Sequence, residues 1–342
     1  MGRAERLAPL VAGVLLAIPS LAAYYLPMSD LPVHEGAVGI LRHFGDPEYF
    51  PPELYRLNLG HSNQLFHVAS WLLSYAVGTR WAVKLVVAAT QIAILLAGAR
   101  LADHLGRSRW AVLLLAPLAL GFTYHWGLVA NLIGFAAFLA ALPTIDRVSA
   151  APTARSLGKL LGVFVVLFFA HESIFMIAAA FAGMLAVTRP LDRRLTPLRL
   201  VPVVFSVVVF VGMYFWTARY FTGIELNRKA VWPPLWDKIF YLPADLFGSH
   251  DEVTRFALFG LGVTAILALA LARRRSGEAG PEGAGSTMAS LQALLLHHRF
   301  EITGALFVLG ALVCPMSWNA ATLLHARFVG PAWALLAITA AP

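Results

Sequence analysis

The sequence predicts an all-α polytopic membrane protein with about ten transmembrane helices and a long outer first loop that carries interfacial helices. Of its 342 residues, 59% are apolar and 13% are charged, whereas a soluble domain is about 45–50% apolar and about 25% charged. The mean hydropathy is +0.72. These values exclude an ordinary water-soluble enzyme and a disordered chain, and the single cysteine, Cys314, excludes a disulfide scaffold.

Ten apolar windows are interpreted as membrane spans, because about 20 apolar residues cross the hydrocarbon core. The first window follows Arg3 and Arg6 like a signal peptide, but its length and the lack of a small-residue cleavage site favour a retained span. His171 and Glu172 separate the fifth window from the sixth, because one helix through both would place these side chains at mid-bilayer. The windows are Leu7–Leu26, Trp81–Ala102, Trp110–Tyr124, Asn131–Ile145, Leu157–Ala170, Ser173–Val187, Leu200–Phe221, Phe256–Ala272, Ile302–Ser317 and Phe328–Ala341.

Basic residues are divided unequally between the two sides of this topology. With the N-terminus in the cytoplasm, the inner segments hold most of the 26 lysines and arginines, and the outer segments are close to neutral. The sequence therefore predicts a multi-pass protein of the plasma (inner) membrane, with residues 1–342 in one transmembrane domain. The net charge of +8 follows this inside bias, so no nucleic-acid partner is expected.

Three segments lie outside the predicted spans. The first outer loop, residues 27–78, carries five acids. Within it, Val33–Phe44 has the apolar spacing of an amphipathic interfacial helix, and Leu65–Val77 is apolar but too short to span. The second outer loop, residues 222–254, is interpreted as a shorter interfacial segment. Residues 273–290 are rich in Gly, Ser and Glu and predict a flexible inner linker.

The usual sequence signatures of several membrane activities are absent. The chain has no phosphate-binding loop, no dinucleotide fingerprint, no HExxH or CxxC pair and no GxSxG turn. ATP-driven transport by this chain alone, zinc proteolysis and lipase-type hydrolysis are therefore not indicated. The histidines lack ligand spacing, so no metal ligand is assigned, and a divalent cation is left as one candidate cofactor.

The strongest candidate residue is Asp30, which follows the first span directly. A carboxylate at this position could act as a fixed base beside a substrate held in the membrane. Asp30 also precedes Leu31 and Pro32 in the manner of a helix N-cap, and the two interpretations are compatible because a helix N-terminus favours an ionised carboxylate. His34 and Glu35 either support this base or belong to a solvated helix face.

Four more polar residues are expected at the outer side. His171 and Glu172 would orient a substrate or bind a metal together with other outer residues at a hairpin tip, or form a wet turn at the interface. Arg327 and Arg80 would bind a lipid phosphate, since the guanidinium fork matches phosphate oxygens, or extend toward lipid headgroups as ordinary interfacial arginines. Ionisable groups at this depth usually line a wet cavity, so an outward-facing polar cavity is predicted.

The order of these features resembles the GT-C superfamily of integral membrane glycosyltransferases. The shared features are an inner N-terminus, one span, a long outer loop that opens with an acid in Ser29–His34, an interfacial helix and short-looped spans. The basic inner turn Ala102–Arg109 is also similar to that of many such proteins. The resemblance covers about Leu7–Val187. It implies an inverting cell-envelope enzyme that takes a sugar from a polyprenyl-phosphate carrier on the outer face.

By this resemblance, Asp30 would take the proton of the acceptor hydroxyl while Arg327, Arg80 or a bound cation neutralises the departing lipid phosphate. The implied partners are a lipid-linked sugar donor and membrane lipids. Two other functions are left open. One is a polytopic transporter, which would show deep charges and repeated broken helices that are scarce here. The other is a non-catalytic membrane component of an envelope assembly.

Overall fold

The computed structural model describes residues 2–51, 53–218, 229–248, 250–275, 287–318 and 321–342. Within these ranges the chain is almost entirely helical, with one short antiparallel pair formed by β1 (Ser317–Trp318) and β2 (Ala321–Thr322). The helices are α1 (Arg3–Ala22), α2 (Leu31–Arg42), α3 (Leu65–Val77), α4 (Thr79–His104), α5 (Ala116–Leu120), α6 (Phe122–His125), α7 (Val129–Ala150), α8 (Ala154–Ala170), α9 (Glu172–Thr188), α10 (Leu195–Ala218), α11 (Leu235–Phe247), α12 (Glu252–Arg275), α13 (Thr287–His297), α14 (Arg299–Val313) and α15 (Val329–Ala340), with 3-10 helices over Arg109–Leu115 and His325–Phe328.

Five helices in the described part of the chain are long and apolar enough to cross a membrane: α1, α4, α7, α10 and α12. The four other intact helices in predicted spans are shorter, with 17 residues in α8 and α9, 15 in α14 and 12 in α15. At about 1.5 Å per residue, such helices are shorter than the ~30 Å hydrocarbon core. The molecule therefore has the character of a helical membrane protein, but the predicted count of ten spans is not confirmed.

The predicted span Trp110–Tyr124 is not one helix. It consists of a 3-10 helix followed by α5 and α6, with Pro117 at the start of α5 and a break at Gly121. The broken geometry leaves backbone carbonyls without helical partners, and the Trp333 indole N–H donates to the Leu114 carbonyl at 2.7 Å. Such a break is tolerated in a buried segment when neighbouring side chains satisfy the freed groups.

The helices α4 and α7 are the most buried of the five long ones and form the centre of the molecule. Around them the bundle has two chemically different ends. We use the term basic end for the end that carries Glu5, Asp103, Asp146, Arg189 and Arg299, and loop end for the end that carries α2, α3 and His171. At the basic end Asp146 contacts Arg189 and Arg299, so charges that were predicted on one side do meet.

Helices lie in the described parts of the predicted segments outside the spans. The interfacial helix predicted at Val33–Phe44 is α2, which begins two residues earlier, and α3 has the predicted bounds Leu65–Val77. The second outer loop contains α11. The predicted linker is helical at both edges, because α12 extends to Arg275 and α13 begins at Thr287, while residues 276–286 lie outside the described part.

The chain breaks between α8 and α9, as predicted, at His171. This residue has an extended backbone, with φ of −166° and ψ of 126°, and links the two helices directly. The rings of Phe168 and Phe175 lie 5.5 Å apart on the two sides of the break, so the helices fold back on each other. A Cβ at Gly134 of α7 would lie 2.9 Å from the His171 Cβ, so the absence of a side chain there lets His171 pack against α7.

Candidate functional site at the loop end

Asp30 occupies the N-cap position of α2 and is held there through its backbone. The Ser29 N–H donates to the His125 carbonyl at 2.9 Å, and the Asp30 N–H donates to the Trp126 carbonyl at 3.1 Å. Gly127 follows with φ of +75°, and a Cβ there would lie 2.8 Å from the Asp30 nitrogen. Glycine alone adopts this left-handed backbone at such a close approach without strain. The turn after α6 therefore fixes the start of α2.

The carboxylate of Asp30 makes no capping hydrogen bond to α2. The side chain is exposed and does not line the cavity at the loop end, so the outward-facing polar cavity predicted from the sequence does not form around Asp30. Because the carboxylate is not used to cap the helix, it can act as a base toward a group that approaches from the loop end. The N-cap position was predicted correctly, whereas the capping hydrogen bond is absent.

His34, one turn into α2, pairs with His67 of α3. Its Nδ1 lies 2.9 Å from the His67 Nε2. Burial and the neighbouring His67 lower the pKa of His34 to about 4, and the charge of Asp30 opposes this shift. Burial also lowers the pKa of His67. Both rings are therefore neutral at pH 7, and one donates to the other.

Glu172 connects the hairpin tip to the first outer loop. Its backbone N–H donates to the Asn63 Oδ1 at 2.9 Å, and its Oε2 accepts from the Ser62 hydroxyl at 3.1 Å. Asn63 has φ of +65°, a left-handed backbone that asparagine adopts more readily than most residues. The Asn63 backbone also makes a hydrogen bond to His67. Asn63 thus joins the histidine pair to the start of α9.

His171 and Arg327 form the inner part of the site. His171 is 2% exposed. Its Nδ1 accepts from the Ser173 backbone N–H at 3.2 Å, and its Nε2 lies 3.3 Å from the Arg327 Nη1. Burial, with Arg327 nearby, lowers the pKa of His171 to about 3, so the ring is neutral. A neutral ring has one acceptor nitrogen, whereas the Ser173 N–H and the Arg327 guanidinium are both donors, so His171 accepts from one of them at a time. The ring therefore lies against the Arg327 guanidinium, whose positive charge suits an anionic group.

Glu35 and Arg80 do not join this network. The Arg80 Nε lies 3.7 Å from the Glu35 Oε1, and the guanidinium stacks over Tyr24 and Tyr25 at 4.7 and 5.0 Å. Both side chains are partly exposed. This arrangement is typical of an aromatic and ionic anchor at an interface. It therefore favours the alternative interpretation of Arg80 over phosphate binding.

A cavity of about 290 Å³ opens beside the histidine pair. It lies between α2, residues 55–59 and α3, and its walls are mostly apolar, with Ile40, Phe44 and Leu57 among them. His67 and Arg56 supply polar atoms at its surface. Asp30 does not line this cavity. The shape suits a flexible apolar chain whose polar group lies near the histidines.

The sequence interpretation missed His67, Ser62 and Asn63 as site residues. Their partners lie 33, 110 and 109 residues away in the chain, so no local spacing reveals them. It also missed a buried pair near Arg327: the His325 Nε2 lies 3.5 Å from the Asp245 Oδ2. Burial raises the pKa of Asp245 to about 7.

Metal ligation is not indicated by the geometry of the described residues, which contain no group of three or more His, Cys, Asp or Glu side chains arranged to hold an ion. Comparison of the chain with protein-family models, curated proteins and solved structures finds no match. The loop-end site therefore has to be interpreted from its own geometry, and the resemblance to GT-C enzymes remains a prediction.

Proposed function

We propose that the chain is an integral membrane glycosyltransferase that moves a sugar from a polyprenyl-phosphate carrier to an acceptor hydroxyl at the loop end. The observation that carries the proposal is the partly buried Arg327 guanidinium at the loop end, whose Nη1 lies 3.3 Å from the His171 Nε2. A phosphate oxygen accepts from the guanidinium and brings the negative charge that this cation favours. The apolar cavity beside His67 offers room for part of the carrier chain.

Asp30 supplies the base in this proposal. The acceptor oxygen attacks the anomeric carbon of the sugar as its proton passes to the Asp30 carboxylate. The bond from the anomeric carbon to the phosphate oxygen breaks, and the electron pair leaves on the lipid phosphate, whose charge is stabilised by Arg327. A single displacement inverts the anomeric centre. The exposed position of Asp30 leaves its carboxylate open to the acceptor.

The proposal also assigns an orientation. The basic end faces the cytoplasm, as the predicted distribution of lysine and arginine requires, and the loop end faces outward from the plasma (inner) membrane. On that outer face His34, His67 and Asn63 link α2 to the start of α9 by hydrogen bonds, and the charge of Asp30 acts on His34 electrostatically. The negative charge of Glu172 favours the charged form of Arg327 against the effect of burial on its pKa.

The test is transfer from a panel of polyprenyl-phosphate hexoses and pentoses by the full chain in proteoliposomes, with native membrane extract as the source of acceptors. The change Asp30→Asn should lower release of polyprenyl phosphate by about 100-fold or more, since it removes the base. The control Glu53→Gln alters an exposed acid of the same loop and should leave the rate unchanged. Full activity of Asp30→Asn would contradict the proposal.

A further inference from the structure

A cavity at the basic end is separate from the loop-end site. It lies between α12, the junction of α13 with α14, and the end of α15, and it encloses about 450 Å³. Ile266 and Ala270 of α12 and Leu336 of α15 form an apolar wall. Arg273, Arg274, His297, His298 and Glu301 form its polar side. An apolar wall beside a cationic rim is the arrangement that an anionic lipid requires.

One of the two arginines is held in place by the protein. The Arg273 Nη1 donates to the Glu301 Oε1 at 2.9 Å and to the Thr339 carbonyl at 2.6 Å. Glu301 also lies 3.7 Å from the His298 Nδ1. Because Glu301 balances the charge of Arg273, the net positive charge of the cavity comes from Arg274. The Arg274 side chain is exposed at the rim, where it can reach an anion.

The apolar wall indicates that the anion belongs to a lipid. The helix α12 has 24 residues, is apolar enough to span and has no buried residue, so most of its surface is left for lipid. Ile266 and Ala270 are half-buried and line the cavity, next to the exposed residues Leu267 and Ala268 of the same helix. A free phosphate would be attracted only by the cationic rim. A phospholipid would also bury its acyl chains against the apolar wall.

We propose that the cavity at the basic end binds the phosphate diester of an anionic phospholipid, with Arg274 and His298 at the headgroup and the acyl chains along α12. This site is independent of sugar transfer, and its occupant is a membrane lipid held as a structural ligand. Bound lipid would join α12 to α14 and α15. It would thus strengthen the attachment of a helix that otherwise packs lightly on the bundle.

The test uses native mass spectrometry of the full chain released from nanodiscs that contain equal amounts of phosphatidylglycerol and phosphatidylcholine. Wild-type protein should retain phosphatidylglycerol selectively. The double variant Arg274→Gln/His298→Gln should retain it about tenfold less well, because it loses charge-assisted contacts worth about 1.4 kcal/mol. Arg273 is left intact, since its contacts to Glu301 and Thr339 support the fold.

Two control variants and one competition experiment show whether the cavity binds a lipid or a soluble phosphate. Arg155→Gln removes an exposed arginine of α8 outside the cavity and should leave retention unchanged. Ala270→Phe fills the apolar wall without altering charge, and it should lower lipid retention. Equal retention by wild type and the double variant would overturn the proposal. Displacement of the lipid by millimolar glycerol phosphate would show a soluble-phosphate site and would overturn it as well.

Discussion

The hydrogen bond between His34 and His67 requires that at least one of the two imidazoles is neutral, because two protonated rings offer no acceptor between Nδ1 and Nε2. Burial supplies this neutrality by lowering the pKa of both rings. The same effect at His171 leaves Arg327 as the cation of that contact. At the scale of single residues, the site therefore uses desolvation to keep its histidines as neutral donors and acceptors beside the charges of Asp30 and Arg327.

Acidification should destabilise the protein through His34. Its pKa is 6.5 when unfolded and about 4 when folded, so the unfolded chain binds the extra proton in this window and stability falls as the pH drops from 6.5 to 4. The slope for one such group reaches about 1.4 kcal/mol per pH unit. His34→Gln should flatten the pH dependence of thermal unfolding, measured by tryptophan fluorescence in detergent. His43→Gln, at an exposed position of the same loop, should keep the wild-type slope, and coincident profiles for His34→Gln and wild type would refute the assignment.

At the scale of elements, the turn between α6 and α7 places the start of α2. Gly127→Ala puts a methyl group 2.8 Å from the Asp30 nitrogen and 2.9 Å from the Leu31 nitrogen, at a backbone φ of +75°. The strain of a non-glycine residue and the clash should together lower the free energy of unfolding by about 2–4 kcal/mol. The measurement is the thermal midpoint in detergent, together with transfer activity.

The matched control for this change is Gly158→Ala. Gly158 lies in α8 with no heavy atom near an added Cβ, so alanine should be neutral or should stabilise by up to about 1 kcal/mol. If Gly127→Ala unfolds at the same temperature as Gly158→Ala, the turn does not position Asp30.

Elements with strong local patterns could be predicted from the sequence, and those decided by distant contacts could not. The helix α3 has the predicted bounds because its apolar run ends at Gly78, which has φ of +79°. The break within Trp110–Tyr124 was missed because apolar composition alone does not show where a proline interrupts a helix. Pro117 lies at the start of α5, and the carbonyl of Leu114, which the break frees, accepts from the Trp333 indole N–H. Composition predicts burial in lipid, but the length of each helix also depends on its partners.

The candidate site shows the same division. His171 and Glu172 were identified because two ionisable residues inside an apolar stretch are costly, and their separation of α8 from α9 follows from that cost. The contact of His171 with Arg327, 156 residues further along the chain, comes from the packing of the 3-10 helix His325–Phe328 beside the hairpin. Such pairings depend on the whole bundle, which no spacing rule encodes.

At the scale of the whole molecule, Asp146 joins four helical segments at the basic end. Its carboxylate accepts from Arg299 at 2.7 and 2.8 Å and from Arg189 at 2.9 Å, and it lies 2.9 Å from the His104 Nε2. These contacts bring together the ends of α4, α7 and α9 and the start of α14. The contacts of Asp146 therefore connect the first half of the chain to its C-terminal part. Their loss should affect the complete bundle.

Asp146→Asn should lower the free energy of unfolding by about 3–5 kcal/mol, because it leaves two largely buried guanidinium groups without their counter-charge. Asp103 is the matched control, since it also pairs with an arginine at the basic end, but its side chain is 41% exposed, against 5% for Asp146. An exposed pair contributes about 0–1 kcal/mol, so Asp103→Asn should change little. Unfolding in detergent by a graded denaturant measures both variants. If the two lose equal stability, the Asp146 cluster does not hold the halves of the chain together, and packing of α15 against α4 and the 3-10 helix Arg109–Leu115 must do so instead.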